Sequence, residues 1–179
     1  MSNERLMPQL VMSRFIRDDL PRIFLPEGYI IRHAQPGDES YWVDIINDSF
    51  GYSESRSFQS LSRDDCFSYD RVFFVCFQDK PVGTASAWYR TDWGNNTGYL
   101  HMVGVMSSHT GKKLGFYISL AAIYHMKLRG DTKCVLQTDD FRVPAIKTYL
   151  QLGFRPEKTH ESHEQRWLDL CNKHGLSID

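Results

Sequence analysis

The chain has 179 residues, 41% hydrophobic and 24% charged, which suits one globular domain with its own core and excludes a disordered chain. Lys plus Arg number 21 against 22 Asp plus Glu, a net charge of −1, so the basic footprint of a nucleic-acid binder is absent. No apolar run reaches the roughly 18 residues of a membrane-crossing helix, and the first residues lack the unbroken apolar stretch of a signal peptide.

Residues 1–27 read as an arm packed on its own domain. Leu6, Leu10, Val11, Phe15, Ile16, Leu20, Ile23, Phe24 and Leu25 are too apolar for a free tail, and Pro8, Pro21 and Pro26 prevent one long helix. The domain proper is expected over 28–179. Tyr29–His33 is a short strand. Pro36 is expected to open a helix, with Asp38 and Glu39 in its first turn and Trp42, Ile45, Ile46 and Phe50 on its buried face. Gly51 ends it, and the polar stretch from Ser53 to Phe67 is expected to be partly helical.

Arg71–Phe77 is apolar on consecutive positions, as in a strand covered on both faces. Asp79-Lys80-Pro81 is expected to turn the chain back into a strand over Val82–Arg90, with Gly83 allowing a bulge or close approach. The loop Thr91–Gly98 leads into a third strand at Tyr99, so the three read as an antiparallel meander. Cys76 and Cys134 fall in apolar strands, Cys66 and Cys171 lie far from both, and no C-x-x-C occurs. Buried free thiols suit a reducing compartment, and a cytoplasmic location is expected.

The stretch YLHMVGVMSSHTGKKLGF, from Tyr99 to Phe116, starts as a strand, breaks into a polar loop and restarts as a helix. A Gly- and Lys-containing loop at a helix start suits an anion. The first helical N–H groups have no partner within the helix, and the helix dipole favours negative charge there. An ordinary strand–turn–helix is the competing reading. The helix is expected from about Lys112 to Arg129, ended by Gly130. Lys133–Thr138 is the next strand. Pro144 starts the last main helix and Gly153 ends it. Phe154–Lys158 and Gln165–Leu170 are expected to be closing strands.

From Leu100 to Phe154 the motifs Val103-Gly-Val105, Thr110-Gly-Lys-Lys-Leu-Gly115, Ala145-Ile-Lys-Thr-Tyr149 and Leu152-Gly-Phe154 resemble those of the GNAT superfamily of acyl-CoA-dependent N-acyltransferases. In layout the resemblance extends over about Gly28 to Leu170. Thr110 stands where the family's loop usually has Arg or Gln, Lys113 where it has Gly, and Arg142 where Asn is common. The resemblance implies an α+β fold in α/β/α layers. Its central sheet would be mixed, mostly antiparallel, of about six to seven strands with helices on both faces.

It also implies N-acetyl transfer from acetyl-CoA to a primary amine, on a small molecule or a peptide, by direct attack in a ternary complex. No metal, nucleic acid or membrane takes part, and a homodimer follows family habit. Tyr149 would give a proton to the departing thiolate. Backbone groups of Met102, Val103 and Val105 would pair with pantetheine, with Gly104 compatible with a bulge that frees them. The N–H groups of Gly111, Lys112, Lys113, Leu114 and Gly115 would hold the diphosphate, Lys112 and Lys113 adding charge, Thr110 a hydroxyl and Arg142 a further contact.

His101 is the candidate base for the acceptor amine, with Tyr99 placed to position a water, Glu54 and Asp92 as loop alternatives. A hydrogen-bonded core histidine is the plainer reading of His101, and a core aromatic that of Tyr149. His160-x-x-His163 has metal-ligand spacing but no third ligand in view. The alternative function is a non-catalytic acyl-CoA-binding module with a degenerate loop. A third reading keeps the fold alone and uses the arm to bind a partner.

Overall fold

The computed structural model describes residues 7–53 and 56–178. In chain order the strands and α-helices are β1 (Leu10–Phe15), β2 (Tyr29–His33), α1 (Glu39–Phe50), α2 (Phe58–Ser62), β3 (Val72–Phe77), β4 (Lys80–Tyr89), β5 (Thr97–Val105), α3 (Leu114–Arg129), β6 (Lys133–Thr138), α4 (Val143–Gln151), β7 (Arg155–Glu157) and α5 (His163–His174). Seven strands and five α-helices among the described residues make the fold α+β, as expected. The chain divides into two compact units, one of residues 15–134 and one of residues 1–14 and 135–179.

In the 15–134 unit the strands lie in the order β2-β3-β4-β5, every neighbour antiparallel. Alternation along the strands sends side chains to opposite faces. Tyr99, Trp88, Phe74 and Cys76 join Trp42, Ile45 and Ile46 of α1 and Phe58 and Leu61 of α2 in one buried cluster. Gly98, one residue from Tyr99, faces the other way: a Cβ there would lie 2.5 Å from Met126 Sδ of α3. Helix α3 buries Leu114, Ile118, Leu120, Ala122, Ile123 and Met126, and Gly130 closes it at φ +95°. Beyond β1 the chain runs along α3, where the Tyr124 hydroxyl donates to Leu20 O and Pro21 O, and Lys127 pairs with Asp18 at 2.8 Å.

Three expectations for this unit are corrected. The β3–β4 turn is Gln78–Asp79, with φ of +47° and +66°, and Lys80 already pairs with Phe77. A two-residue connection with both φ positive matches the twist of the strands it joins, so the chain reverses sooner than the proline suggests. Pro36 lies ahead of α1. Asp38 is its N-cap residue, and its carboxylate takes Arg32 at 2.7 Å and the Gln35 N–H at 2.8 Å. Helix α3 begins at Leu114 and not at Lys112, because Lys113 is left-handed, at φ +56° and ψ +21°.

In the other unit β6, β1 and β7 follow one another, and β1 pairs antiparallel with β7 through Val11↔Glu157, Met12↔Pro156 and Ser13↔Arg155. Leu10, Val11 and Met12 of the expected arm are buried. Residues 165–170, expected as a strand, are helical within α5. His163, Trp167 and Leu170 are its buried residues, spaced four and three apart, which is helical spacing and not alternation.

Candidate functional site

The register of β4 on β5 runs from Tyr89↔Gly98 to Ser86↔His101, then resumes at Thr84↔Gly104. Met102 and Val103 therefore both oppose Ala85, which is a β-bulge. Met102 carries it in the left-handed region, at φ +50°. Such a conformation costs a non-glycine residue on the order of 1–3 kcal/mol. Gly104, expected to suit the bulge, has another use. A Cβ on it would meet Ser49 Oγ at 2.7 Å, so its bareness lets α1 approach the strand. Ser49 Oγ then donates to Val105 O at 3.1 Å, which occupies that carbonyl.

After β5 the chain makes a 3₁₀ turn over Ser107–His109. Asp48 of α1 receives the Ser107 N–H at 2.5 Å on Oδ2 and the Ser107 hydroxyl at 3.1 Å on Oδ1. His109 Nδ1 shares a 2.7 Å hydrogen bond with the Tyr29 hydroxyl of β2. Thr110 Oγ1 donates to Ser107 O at 2.9 Å, so its proton closes the turn and is not offered to an anion. Gly111 follows at φ +79° with open space where a Cβ would be. Among the described residues, no acceptor meets the backbone N–H groups from Gly111 to Phe116, whereas the Tyr117 N–H is bonded to Lys113 O at 3.1 Å. That run is longer than the four or so that any helix start leaves open. Lys113 caps α3 without a side-chain bond, and Lys112 and Lys113 are both exposed. The Leu114 side chain is buried in the core while its N–H stays unpaired.

His101 is half-buried on the cluster side of β5, its ring 5.3 Å from that of Tyr99 and 6.0 Å from that of Trp88. Burial pushes its pKa down to about 4, the Arg90 charge adds to the drop, and Asp64 opposes it. Burial also raises the Tyr99 phenol, against the effect of Arg90, whose guanidinium lies 4.6 Å over that ring. Asp64 Oδ1 accepts from the Cys66 N–H and thiol, both at 2.9 Å. Burial works to raise its pKa, but the hydrogen bonds from Cys66 and Trp88 outweigh it and hold the carboxyl below the usual range. The Cys66 thiol is pushed up to about 11, by burial first and then by Asp64.

Sequence reasoning missed Asp64, Trp88 and Arg90 as neighbours of His101. The one local signal was Asp64-x-Cys66, the spacing of a side chain that bonds the backbone two residues on. Asp92, an alternative base, is exposed in a short 3₁₀ turn, Thr91–Trp93. Glu54 lies outside the described residues.

The other unit holds the remaining two candidates. Tyr149 of α4 is 7% exposed, with its ring edge-on to Phe154 at 6.0 Å. The Phe154 N–H returns to Tyr149 O at 2.9 Å, and Gly153 between them takes φ +84°. The Leu-Gly-Phe motif thus closes the helix that carries Tyr149, and Arg14 of β1 donates to Leu152 O. Arg142 is the N-cap residue of α4, followed by Pro144 in its first turn. His163 is buried, with Nδ1 3.3 Å from Glu157 O, and His160 Nδ1 is 2.9 Å from Ser162 Oγ. Among the described residues no three His, Cys, Asp or Glu gather as metal ligands, and no helix is long and apolar enough to cross a membrane.

Residues 40–154 match the Acetyltransferase (GNAT) family. Curated relatives are named mycothiol acetyltransferase. That of Nocardia farcinica is 24% identical over 147 residues, covering 76% of this chain and 48% of the relative. That of Thermomonospora curvata is 27% identical over 158 residues, covering 84% of this chain and 52% of the relative. The chain therefore spans about half the length of the curated relatives it matches. A GCN5-related N-acetyltransferase from Sphaerobacter thermophilus superposes with a TM-score of 0.66 at 20% identity, covering 84% of this chain and 50% of that one. At that identity the likeness shows the fold, a mixed sheet flanked by helices.

Proposed function

The chain belongs to the acetyltransferase (GNAT) family, and from that premise we propose that it transfers an acetyl group from acetyl-CoA to a primary amine by direct attack in a ternary complex. The observation that carries the reading is the run of unpartnered N–H groups from Gly111 to Phe116, directly after a bulged strand. Those N–H groups, the start of α3 and the charges of Lys112 and Lys113 fit a diphosphate. The bulge at Met102 and Val103 leaves strand backbone for pantetheine. Of Val105, the N–H is the group on offer, since Ser49 holds its carbonyl. Thr110 contributes by closing the turn, and Arg142 is the candidate for a further contact with the carrier.

Bound there, acetyl-CoA supplies an activated thioester. The acceptor must reach it as a neutral amine. His101, with its pKa near 4, is unprotonated at neutral pH and has a lone pair to offer. The burial that keeps it so also makes it a weak base, so a water held by Tyr99 shares the task. Tyr149 gives its phenol proton to the departing thiolate. The acceptor is a small-molecule or peptide amine, and the name shared by the curated relatives puts mycothiol-related amines first on a panel to be tried.

The test pairs calorimetry with CoA against thioester consumption over that panel, products being read by mass spectrometry. Tyr149→Phe is expected to lower turnover at least about tenfold while CoA affinity stays within about twofold. Equal turnover in both proteins removes Tyr149 from the mechanism. Tight CoA binding with no transfer to any amine makes the chain an acyl-CoA-binding module.

A further inference from the structure

We propose that Asp48 is a positioning residue for acetyl-CoA: it sets the turn that presents the diphosphate-binding amides, without touching the ligand itself. This rests on the reading of Gly111–Phe116 as the diphosphate site. The geometry points to Asp48 because one carboxylate takes both donors of Ser107, the backbone N–H at 2.5 Å and the hydroxyl at 3.1 Å, across 59 positions of sequence. The next residue of α1, Ser49, holds Val105 O at 3.1 Å. The bare Cα of Gly104 admits Ser49, since a Cβ there would lie 2.7 Å from Ser49 Oγ.

The end of α1 therefore grips the chain at Val105 and again at Ser107. From the far side His109 is held by the Tyr29 hydroxyl at 2.7 Å. The His109 and Thr110 N–H groups close the turn on Met106 O and Ser107 O, and from Gly111 to the first paired amide of α3, at Tyr117, the backbone N–H groups have no partner of their own among the described residues. Their direction is inherited from the turn. A carboxylate this close to a phosphate site works against anion binding by its charge. Its two hydrogen bonds, and not its charge, are what the site uses.

That separation defines the test. Asp48→Asn keeps both contacts, its carbonyl oxygen accepting the Ser107 N–H and its amide donating to the Ser107 hydroxyl. Asp48→Ala removes both. In Asp48→Ala the Kd for CoA and the KM for acetyl-CoA are expected to rise about five- to tenfold, with kcat and the amine KM within about twofold. Asp48→Asn is expected to restore the wild-type Kd or to improve on it. Hydrogen exchange of the Ser107, His109 and Thr110 amides, the paired ones of the turn, is expected to quicken in Asp48→Ala in the unliganded protein and not in Asp48→Asn, with β4 unchanged in either.

Should Asp48→Ala fail to fold, Ser107→Ala, which removes only the hydroxyl, is expected to move both readouts the same way by a smaller amount. The proposal is overturned if exchange at Ser107, His109 and Thr110 is unaltered in the alanine variants, or if CoA binds them as tightly as it binds wild type. A wild-type chain that takes up no CoA at all overturns the diphosphate reading and the proposal with it. The exchange result separately says whether the grip exists.

Discussion

The hairpin between β3 and β4 and the stretch from Met102 to Lys113, in the same unit, both hold non-glycine residues in the left-handed region, and they do so for different reasons. At the β3–β4 tip, Gln78 and Asp79 take φ of +47° and +66°. A two-residue hairpin needs both angles positive to follow the twist of its strands, and the pairing on either side offsets the cost. At Met102 and Lys113, with φ of +50° and +56°, neither the ladder nor the helix asks for it. A regular β5 would pair every residue with β4, and a regular start to α3 would accept Lys113 in helical geometry. Strain of this second kind persists only where the surroundings over-determine it. Here Met102 packs against the buried cluster, and Asp48 and Ser49 fix the exit of the strand. The hairpin strain serves the fold, whereas the strain at Met102 and Lys113 leaves backbone groups unpaired in one segment.

The contrast can be broken most directly at Gly111. A β-branched side chain at φ +79° costs about 1–2 kcal/mol or more, although nothing crowds its Cβ. Gly111→Val is therefore expected to weaken CoA about tenfold in calorimetry and to lower the thermal midpoint by a few degrees. Unchanged affinity would mean that the backbone there is not what the ligand reads.

His101, next to the bulge, sharpens the contrast through pH. Its folded pKa of about 4 lies below the ordinary 6.5, so as pH falls the unfolded chain takes the proton first. Its contribution to stability is complete above about 6.5 and is lost between there and about 4. Its partial exposure screens the effect, leaving on the order of 1 kcal/mol. His101→Asn is expected to lose that much less stability than wild type between pH 7 and pH 4 in urea unfolding. Parallel curves would place the ring in contact with bulk water.

The smallest effects separate the two kinds of strain. Asp79→Gly and Lys113→Gly should each stabilise the protein by about 0.5–1 kcal/mol, because glycine bears a positive φ without penalty. Asp79→Gly should leave the KM for acetyl-CoA unchanged, while Lys113→Gly, which loses a charge as well, should raise it a few-fold. Equal KM values would put Lys113 with the hairpin, as a feature of the fold alone.

Most of the secondary structure was legible. Tyr29–His33 and Lys133–Thr138 are strands at the bounds expected from their apolar spacing, and Pro144 and Gly153 bracket the helix of Tyr149. Where the reading went astray, a residue's usual role stood in for its surroundings. Pro81 and Pro36 suggest a turn and a helix start that fall elsewhere, and residues 165–170, expected as a strand, have buried positions spaced as in a helix.

By itself, then, the sequence determined the order of strands and helices from Tyr29 to Gln151 and the motifs that mark the family, since hydrophobic period, caps and glycine spacing act over a few neighbouring residues. Only the tertiary structure decided that Met102 bears the bulge, that Asp64 and Arg90 set the charge around His101, and that Asp48 holds Ser107. Each of these depends on a partner far away in the chain, and a carboxylate's spacing in sequence does not say which distant amide it will meet.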